Sequence, residues 1–269
     1  MNPPRILAIG GSDSGGGAGI EADIKTITAL GGYAMTAITA VTAQDTVAIQ
    51  AITPIPPAMV GRAIAMVLAD IGVDAIKIGM LGSAAMVETI AAALAPLPRS
   101  LPIVLDTILA ATSGTDLLDP DAAEILLRDL MPLATLITPN RHEAAKLSGH
   151  PIDTPADAIA AARLLCDRGA RAVLLKGGHF DASVLIDRLI TPDDVQSFPQ
   201  PRIDTSHTHG TGCTLASAIA LGLAEGLDLP AAIIRAQAFL QAALRAAPGF
   251  GAGHGPMGHA AAAPGRPLA

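Results

Sequence analysis

The segment His207-Thr-His-Gly-Thr-Gly-Cys213-Thr sets two glycines, Gly210 and Gly212, directly ahead of an apolar helical stretch. Free N–H groups at a helix N-terminus, with no side chains in the way, form an anion site, and Cys213 in the first turn sits beside it. A glycine turn before an ordinary core helix, with Cys213 packed as a small hydrophobe, accounts for the same residues. A second segment, Gly10-Gly-Ser-Asp-Ser-Gly-Gly-Gly-Ala-Gly19, also joins a strand to a helix. It is not a Walker loop, because no Gly-Lys-Ser/Thr follows, and its crowded glycines break the dinucleotide spacing. It reads equally well as a flexible turn, with Asp23 one turn into the helix where an acid suits the dipole. In Thr138-Pro-Asn140-Arg-His-Glu143, Asn140 and Glu143 form a capping-box pair. The same Glu143 could stand near a bound Mg²⁺, reached through water. Lys176, followed by two glycines, can reach a bound phosphate or simply be a solvated lysine before a turn. His207 and His209 resemble a metal pair, but no third ligand stands at useful spacing, so an ordinary structural role is preferred to zinc. Cys166 lies inside an apolar helix and is expected to be inert.

Strand-length apolar runs and amphipathic helical stretches alternate to position these groups. Strands are expected at Ile6–Ile9, Ala75–Ile78, Ile103–Leu105, Thr135–Thr138 and Ala172–Leu175, with helices between them. Asp119-Pro120 and Thr154-Pro155 read as helix starts. The alternation predicts a parallel sheet with helices on both faces. Tyr33 to Pro54 reads as a flap or hairpin outside that rhythm, and Val184 to Phe198 as a hairpin turning at residues 191–194. Asp106, Asn140 and Lys176 all fall at carboxyl ends of strands, the edge where open α/β sheets bind ligands. Residues 1–260 read as one domain and 261–269 as a mobile tail rich in Ala, Gly and Pro.

Composition narrows the function classes. The 269-residue chain is 51% hydrophobic and 15% charged, which excludes a disordered chain. Its net charge of −7 and 2% aromatic content argue against a nucleic-acid partner. Mean hydropathy is +0.48, yet the longest uncharged stretches are broken by threonines, glycines and prolines, so no membrane span is expected. Two cysteines make no disulfide framework, and the N-terminus lacks the pattern of a signal peptide. A cytoplasmic protein is expected, and a homodimer is the expected assembly.

Together, Ala8-Ile-Gly-Gly-Ser-Asp13, Gly16-Gly-Ala-Gly-Ile20, Lys77-Ile-Gly-Met80, Thr138-Pro-Asn140, Lys176-Gly-Gly-His179 and Thr208-His-Gly-Thr-Gly-Cys213 follow one pattern. Over about residues 5–258, including Gly253-His-Gly-Pro256, the chain resembles the hydroxymethylpyrimidine and phosphomethylpyrimidine kinases of thiamine biosynthesis, in the ribokinase-like superfamily. The resemblance implies a three-layer α/β/α fold around a mostly parallel sheet with a small flap. It implies ATP as co-substrate and Mg²⁺ as cofactor. Phosphoryl transfer would go to the hydroxymethyl group of 4-amino-5-hydroxymethyl-2-methylpyrimidine and then to that monophosphate. Carried over by residue, Gln44 would hydrogen-bond the aminopyrimidine, Gly11 and Asp23 would line its pocket, and Met80 would supply an apolar wall. Gly210, Thr211 and Gly212 would form the anion hole. Asn140 and Glu143 would organise Mg²⁺ and phosphate, helped by Asp106, while Lys176 contacts ATP phosphate. Cys213 would be the base, its thiolate favoured by the helix dipole.

Two departures from the family pattern stand out. Ala111-Thr112-Ser113-Gly114 replaces a stretch in which many relatives carry a lysine, and Thr42 occupies a flap position expected to be apolar. A pyridoxal kinase of the same superfamily is the alternative substrate reading. Gln44 favours a pyrimidine, because a carboxamide pairs with a ring nitrogen and an exocyclic amine at once. A non-catalytic sensor using the same pocket would be expected to lack Cys213, Lys176 or the Gly-Thr-Gly turn, and all three are present.

Overall fold

Apolar alternation with a period of two decides which side of the sheet each residue meets. The computed structural model describes residues 2–110, 117–177 and 184–265. Its strands are β1 (Arg5–Ser12), β2 (Tyr33–Gln44), β3 (Ile49–Pro54), β4 (Ala75–Ile78), β5 (Ile103–Leu105), β6 (Leu136–Ile137), β7 (Val173–Leu175), β8 (Val184–Ile190) and β9 (Val195–Pro201). Its helices are α1 (Gly19–Ala29), α2 (Pro57–Asp70), α3 (Ala84–Leu94), α4 (Pro120–Ile125), α5 (Arg141–Ser148), α6 (Pro155–Asp167), α7 (Thr211–Ala224) and α8 (Leu229–Arg245). One continuous sheet runs β3-β2-β1-β4-β5-β6-β7-β8-β9. Leu7, Ile9, Ile76, Ile78 and Leu105 pack to one side, under α2 to α6. Ile6, Ala75, Val104, Leu136 and Leu174 pack to the other, against α1, α7 and α8. The fold is thus the expected three-layer α/β sandwich.

The sheet is parallel from β2 through β7 and antiparallel at its ends, where β3 pairs with β2 and the β8–β9 hairpin pairs with β7. The expected hairpin at 184–198 is therefore present and extends the sheet. Tyr33–Pro54 departs from expectation. The first half of β2 is a regular parallel neighbour of β1, from Arg5↔Tyr33 to Gly10↔Ile38, and only its second half rises with β3 as a flap. Met35 and Ala37 are buried in the core, which ties that half to the sheet. Asp119 stands at the start of α4 but its side chain makes no capping bond, whereas Thr154 and Asp157 form a full capping box on α6. The C-terminal segment folds back: Pro256 bridges to His209, the Gly258 N–H donates to the Ala243 carbonyl, and Met257 and His259 are buried. Of the expected tail, Ala261 and Ala262 close a turn onto Gly258, and residues 266–269 lie outside the described residues. Among the described residues, no helix is long and apolar enough to cross a membrane.

Helix α7 is apolar almost all round because it is packed between the sheet, α1 and α8. Its N-cap, Gly210, is left-handed with φ of 82°. A Cβ at Gly210 would lie 2.0 Å from the Gly17 carbonyl oxygen, so only glycine lets this helix end close against the Gly10–Gly19 loop. Gly210→Ala is expected to destabilise the protein by at least ~1–3 kcal/mol in urea unfolding, the cost of a forced left-handed residue before the clash is counted. An unchanged midpoint would show that the loop and the helix end are not packed this tightly.

Candidate active site

The strands end where the chemistry gathers. Asp106 follows β5, Asn140 follows β6 and Lys176 follows β7, as expected from the apolar runs. A cleft of about 820 Å³ opens at this edge. It is lined by every residue to which the resemblance gives a catalytic, substrate, phosphate or metal role: Gly11, Asp23, Gln44, Met80, Asp106, Asn140, Glu143, Lys176, Gly210, Thr211, Gly212 and Cys213; His207 and Cys166 lie outside it. Ala111–Gly114 and His179 lie outside the described residues.

At the centre, Lys176 Nζ lies 3.0 Å from Asp106 Oδ1 and 3.8 Å from Glu143 Oε2. Thr138 donates to Asp106 at 2.9 Å. Both readings of the Asn140–Glu143 pair hold together. Glu143 N–H donates to Asn140 Oδ1 at 2.9 Å, Asn140 N–H donates to Glu143 Oε2 at 2.7 Å, and this capping box faces the cleft. Burial pushes the Glu143 carboxyl up to about 7; Lys176 opposes that shift and Asp106 adds to it. A Cβ on Gly212 would lie 3.1 Å from Asp106 Oδ2 and 3.3 Å from Lys176 Nζ. The bare N-terminal turn of α7 therefore abuts the ammonium and carboxylates directly. Two carboxylates share one ammonium here, a hard-oxygen donor set short of positive charge, which suits Mg²⁺ carrying most of its own water and phosphate ligands.

Below Cys213 lies a group that the sequence pattern did not reveal. Lys77 is 1% exposed, and its Nζ stands 2.8 Å from both carboxylate oxygens of Asp23. Ser217 of α7 donates to Asp23 Oδ1 at 2.7 Å. Burial opposes the charge on Lys77, but Asp23, with Cys213 and Asp106 beyond it, holds its pKa above the ordinary lysine value. Asp23 is thus no surface helix-dipole acid; it is the buried partner of a cation. Within β4, Lys77 is one residue of the apolar run Ala-Ile-Lys-Ile, and nothing local marks its partner far away in α1.

The expectation of a thiolate at Cys213 is corrected by the structure. Cys213 is buried, and burial pushes its thiol up to about 11. Lys77 and the Gly19 N–H pull downward, while Asp23 and Asp106 push further up. Desolvation exceeds the combined downward pull of Lys77 and the Gly19 N–H. His209 also has a defined place: its Nε2 lies 3.0 Å from Asp13 Oδ2 and 3.0 Å from the Gln44 carboxamide. Burial of Asp13 raises its pKa, but bonds from His209, Ala18 and Gly15 outweigh this and keep it below the usual range. Thr42, the departure on the flap, is buried and donates to the Ser12 carbonyl at 2.9 Å. The far wall, also missed in the sequence, comes from the β8–β9 hairpin and α8. There Asp187 accepts from the Gly177 N–H and from Gln237, both at 2.8 Å.

A family model described as phosphomethylpyrimidine kinase matches residues 13–258. The chain belongs to the phosphomethylpyrimidine kinase family. A hydroxymethylpyrimidine/phosphomethylpyrimidine kinase of Streptomyces coelicolor is 43% identical over 259 residues, covering 96% of this chain and 95% of that one. The thiamine biosynthesis bifunctional protein ThiED of Geobacter sulfurreducens is 46% identical over 258 residues, and the chain spans about half (52%) of its length. Among solved structures, the ADP complex of Bacillus subtilis pyridoxal kinase superposes with a TM-score of 0.89 at 35% identity, covering 97% of this chain and 98% of that one. Membership makes the chain a phosphotransferase with the ribokinase-like fold.

For a kinase of this family the thiol state is directly measurable. With its pKa near 11, Cys213 stays protonated at neutral pH in the ligand-free enzyme. The thiolate absorbance near 240 nm, taken as the difference between the wild type and Cys213→Ala, should show no step between about pH 6 and 8. A step in that window would mean that the helix dipole outweighs burial.

Proposed function

We propose that the protein transfers the γ-phosphoryl group of ATP to 4-amino-5-hydroxymethyl-2-methylpyrimidine, and then a second phosphoryl group to that monophosphate, in thiamine biosynthesis. The observation that carries the reading is the single cleft in which Gln44, the bare turn Gly210–Gly212, Lys176 and Cys213 all meet. Gln44 supplies a carboxamide for an aminopyrimidine edge, which favours this substrate over the pyridine ring of pyridoxal. ATP takes the half of the cleft walled by Leu185, Ile203, Leu240 and Leu244, apolar side chains that suit a purine. The negative net charge supports small-molecule partners over nucleic acid. With the family resemblance the reading carries a homodimeric, cytoplasmic, single-domain enzyme with a short C-terminal tail.

In the transfer, the substrate hydroxyl oxygen bonds to the γ-phosphorus as the bond to the bridging oxygen of ADP breaks, and that electron pair leaves with ADP. Gly210 and Gly212 direct backbone N–H groups at the phosphoryl oxygens, with Thr211 between them holding its own N–H on the Thr208 carbonyl at 3.3 Å, and Lys176 adds a point charge beside them. Asn140 fixes Glu143, and Glu143 with Asp106 would hold Mg²⁺ through water. When bound, that ion withdraws charge from the phosphate oxygens. Cys213 takes the hydroxyl proton in its thiolate form. That form is scarce at neutral pH but strongly basic, so the small thiolate fraction is an effective acceptor for the hydroxyl proton. The monophosphate arrives already ionised and needs the base less, while two anions approaching one another need the cation more.

One experiment tests these roles together: turnover of the alcohol and of its monophosphate with Mg-ATP. Cys213→Ala should lower kcat on the alcohol by ~10²-fold or more and on the monophosphate by less. It should also abolish the rise of wild-type kcat with pH that a high thiol pKa imposes. Lys176→Ala should damage the monophosphate step at least as much as the alcohol step. An enzyme that consumes the alcohol but makes no diphosphate, or a Cys213→Ala variant with full turnover, contradicts the proposal.

A further inference from the structure

Gln44 ends β2 at the cleft, and its carboxamide is held from two sides. One terminal atom lies 3.0 Å from His209 Nε2, and the other lies 3.4 Å from Thr42 Oγ1. Oxygen and NH₂ exchange places by a half-turn of the group, so its polarity is decided by what the neighbours can donate. Asp13 accepts from the N–H groups of Gly15, Gly17 and Ala18 and carries its charge in that nest. His209 Nε2, 3.0 Å from Asp13 Oδ2, therefore bears a proton. A carboxamide NH₂ facing that N–H would set donor against donor. Thr42 commits its one hydroxyl proton to the Ser12 carbonyl at 2.9 Å, so toward Gln44 it only accepts. The structure sets Gln44 Nε2 toward His209 and Oε1 toward Thr42, but these neighbours favour the half-turned orientation, oxygen toward His209 and NH₂ toward Thr42, with the one Nε2 proton of His209 shared between Asp13 and Gln44.

His209 is itself held rigidly. Its ring fills the space beside Gly17, where a Cβ would come within 2.6 Å of Cδ2, and its backbone N–H donates to the Gly255 carbonyl at 3.3 Å. With these bonds made, Gln44 retains one oxygen lone pair and one N–H for the cleft. That pair complements an exocyclic amine beside a bare ring nitrogen. It opposes a carbonyl beside a ring N–H.

We propose that Asp13, His209 and Thr42 are positioning residues that fix the polarity of the Gln44 carboxamide, and so make the acceptor subsite select a 4-aminopyrimidine over its 4-oxo counterpart. The inference rests on Gln44 as the reader of the pyrimidine edge. It also gives Thr42 a use, since an apolar residue there would leave the NH₂ side of the group without an acceptor.

The test is kcat/KM for the 4-amino alcohol and for its 4-oxo analogue, with Mg-ATP, in the wild type, Gln44→Ala, Thr42→Val and His209→Phe. Thr42→Val keeps the side-chain volume, and His209→Phe keeps a ring against Gly17. The wild type should favour the amino compound by ~10²-fold or more, and Thr42→Val and His209→Phe should each cut that ratio about tenfold, in part by improving use of the oxo analogue. The change should appear mainly in KM. Parallel losses on both compounds at a constant ratio mean ordinary structural damage and overturn the proposal. If Gln44→Ala collapses the ratio while Thr42→Val and His209→Phe keep it, Gln44 reads the edge but is not held in this way. If Gln44→Ala itself keeps the wild-type ratio, the assignment of Gln44 fails, and the positioning proposal fails with it.

Discussion

The cleft is built over a buried ion pair. Lys77 on β4 meets both oxygens of Asp23 on α1 at 2.8 Å, and Ser217 on α7 closes the group. Three elements remote from one another in sequence are tied together beneath Cys213. Taking two charges out of water costs several kcal/mol per ion, and a well-packed apolar substitute is often as stable. Stability alone therefore gives a weak reason for the pair. Its place suggests a stronger one: Lys77 is the charge that acts most strongly to lower the Cys213 pKa against the opposing effect of burial.

The two ends of the cleft solve different problems with one scaffold. At the phosphoryl end, recognition comes from backbone and charge: the α7 N-terminus, Lys176 and the two carboxylates are close enough to share a field. At the acceptor end it comes from hydrogen-bond polarity, with Gln44 set between His209 and Thr42. The two ends are mechanically joined, since His209 immediately precedes Gly210, and Gly210 packs against Gly17. Binding an acceptor at Gln44 thus bears directly on the turn that receives the phosphoryl group.

Much of this was legible in the sequence. Strand ends at Leu105, Ile137 and Leu175 follow from short apolar runs, and they place Asp106, Asn140 and Lys176 without knowledge of tertiary contacts. The Gly210–Gly212 turn announced itself because glycines before an apolar helix have few other uses. What escaped the sequence depends on long-range pairing. Lys77 looked like a strand residue because its partner is 54 positions away. His209 was given an ordinary structural role over a zinc pair with His207, because Asp13, its actual partner, lies 196 positions before it. The state of Cys213 was misjudged because a helix dipole is visible in local sequence, whereas the depth of burial that overrides it is set by the whole fold. β2 was read as a flap because its two halves obey different neighbours.

The most direct test of the role given to the buried pair compares Asp23→Asn with the double variant Asp23→Asn/Lys77→Met. Urea unfolding and kcat at saturating pyrimidine alcohol are measured on both. The single variant strands a buried ammonium and should lose ~3–5 kcal/mol of stability. The double variant removes the stranded charge and should recover most of that loss, while its kcat stays at least about tenfold below wild type, because the downward pull of Lys77 on the Cys213 thiol exceeds the upward push of Asp23 that is lost with it. A double variant with both stability and kcat at wild-type levels would contradict a catalytic purpose for Lys77.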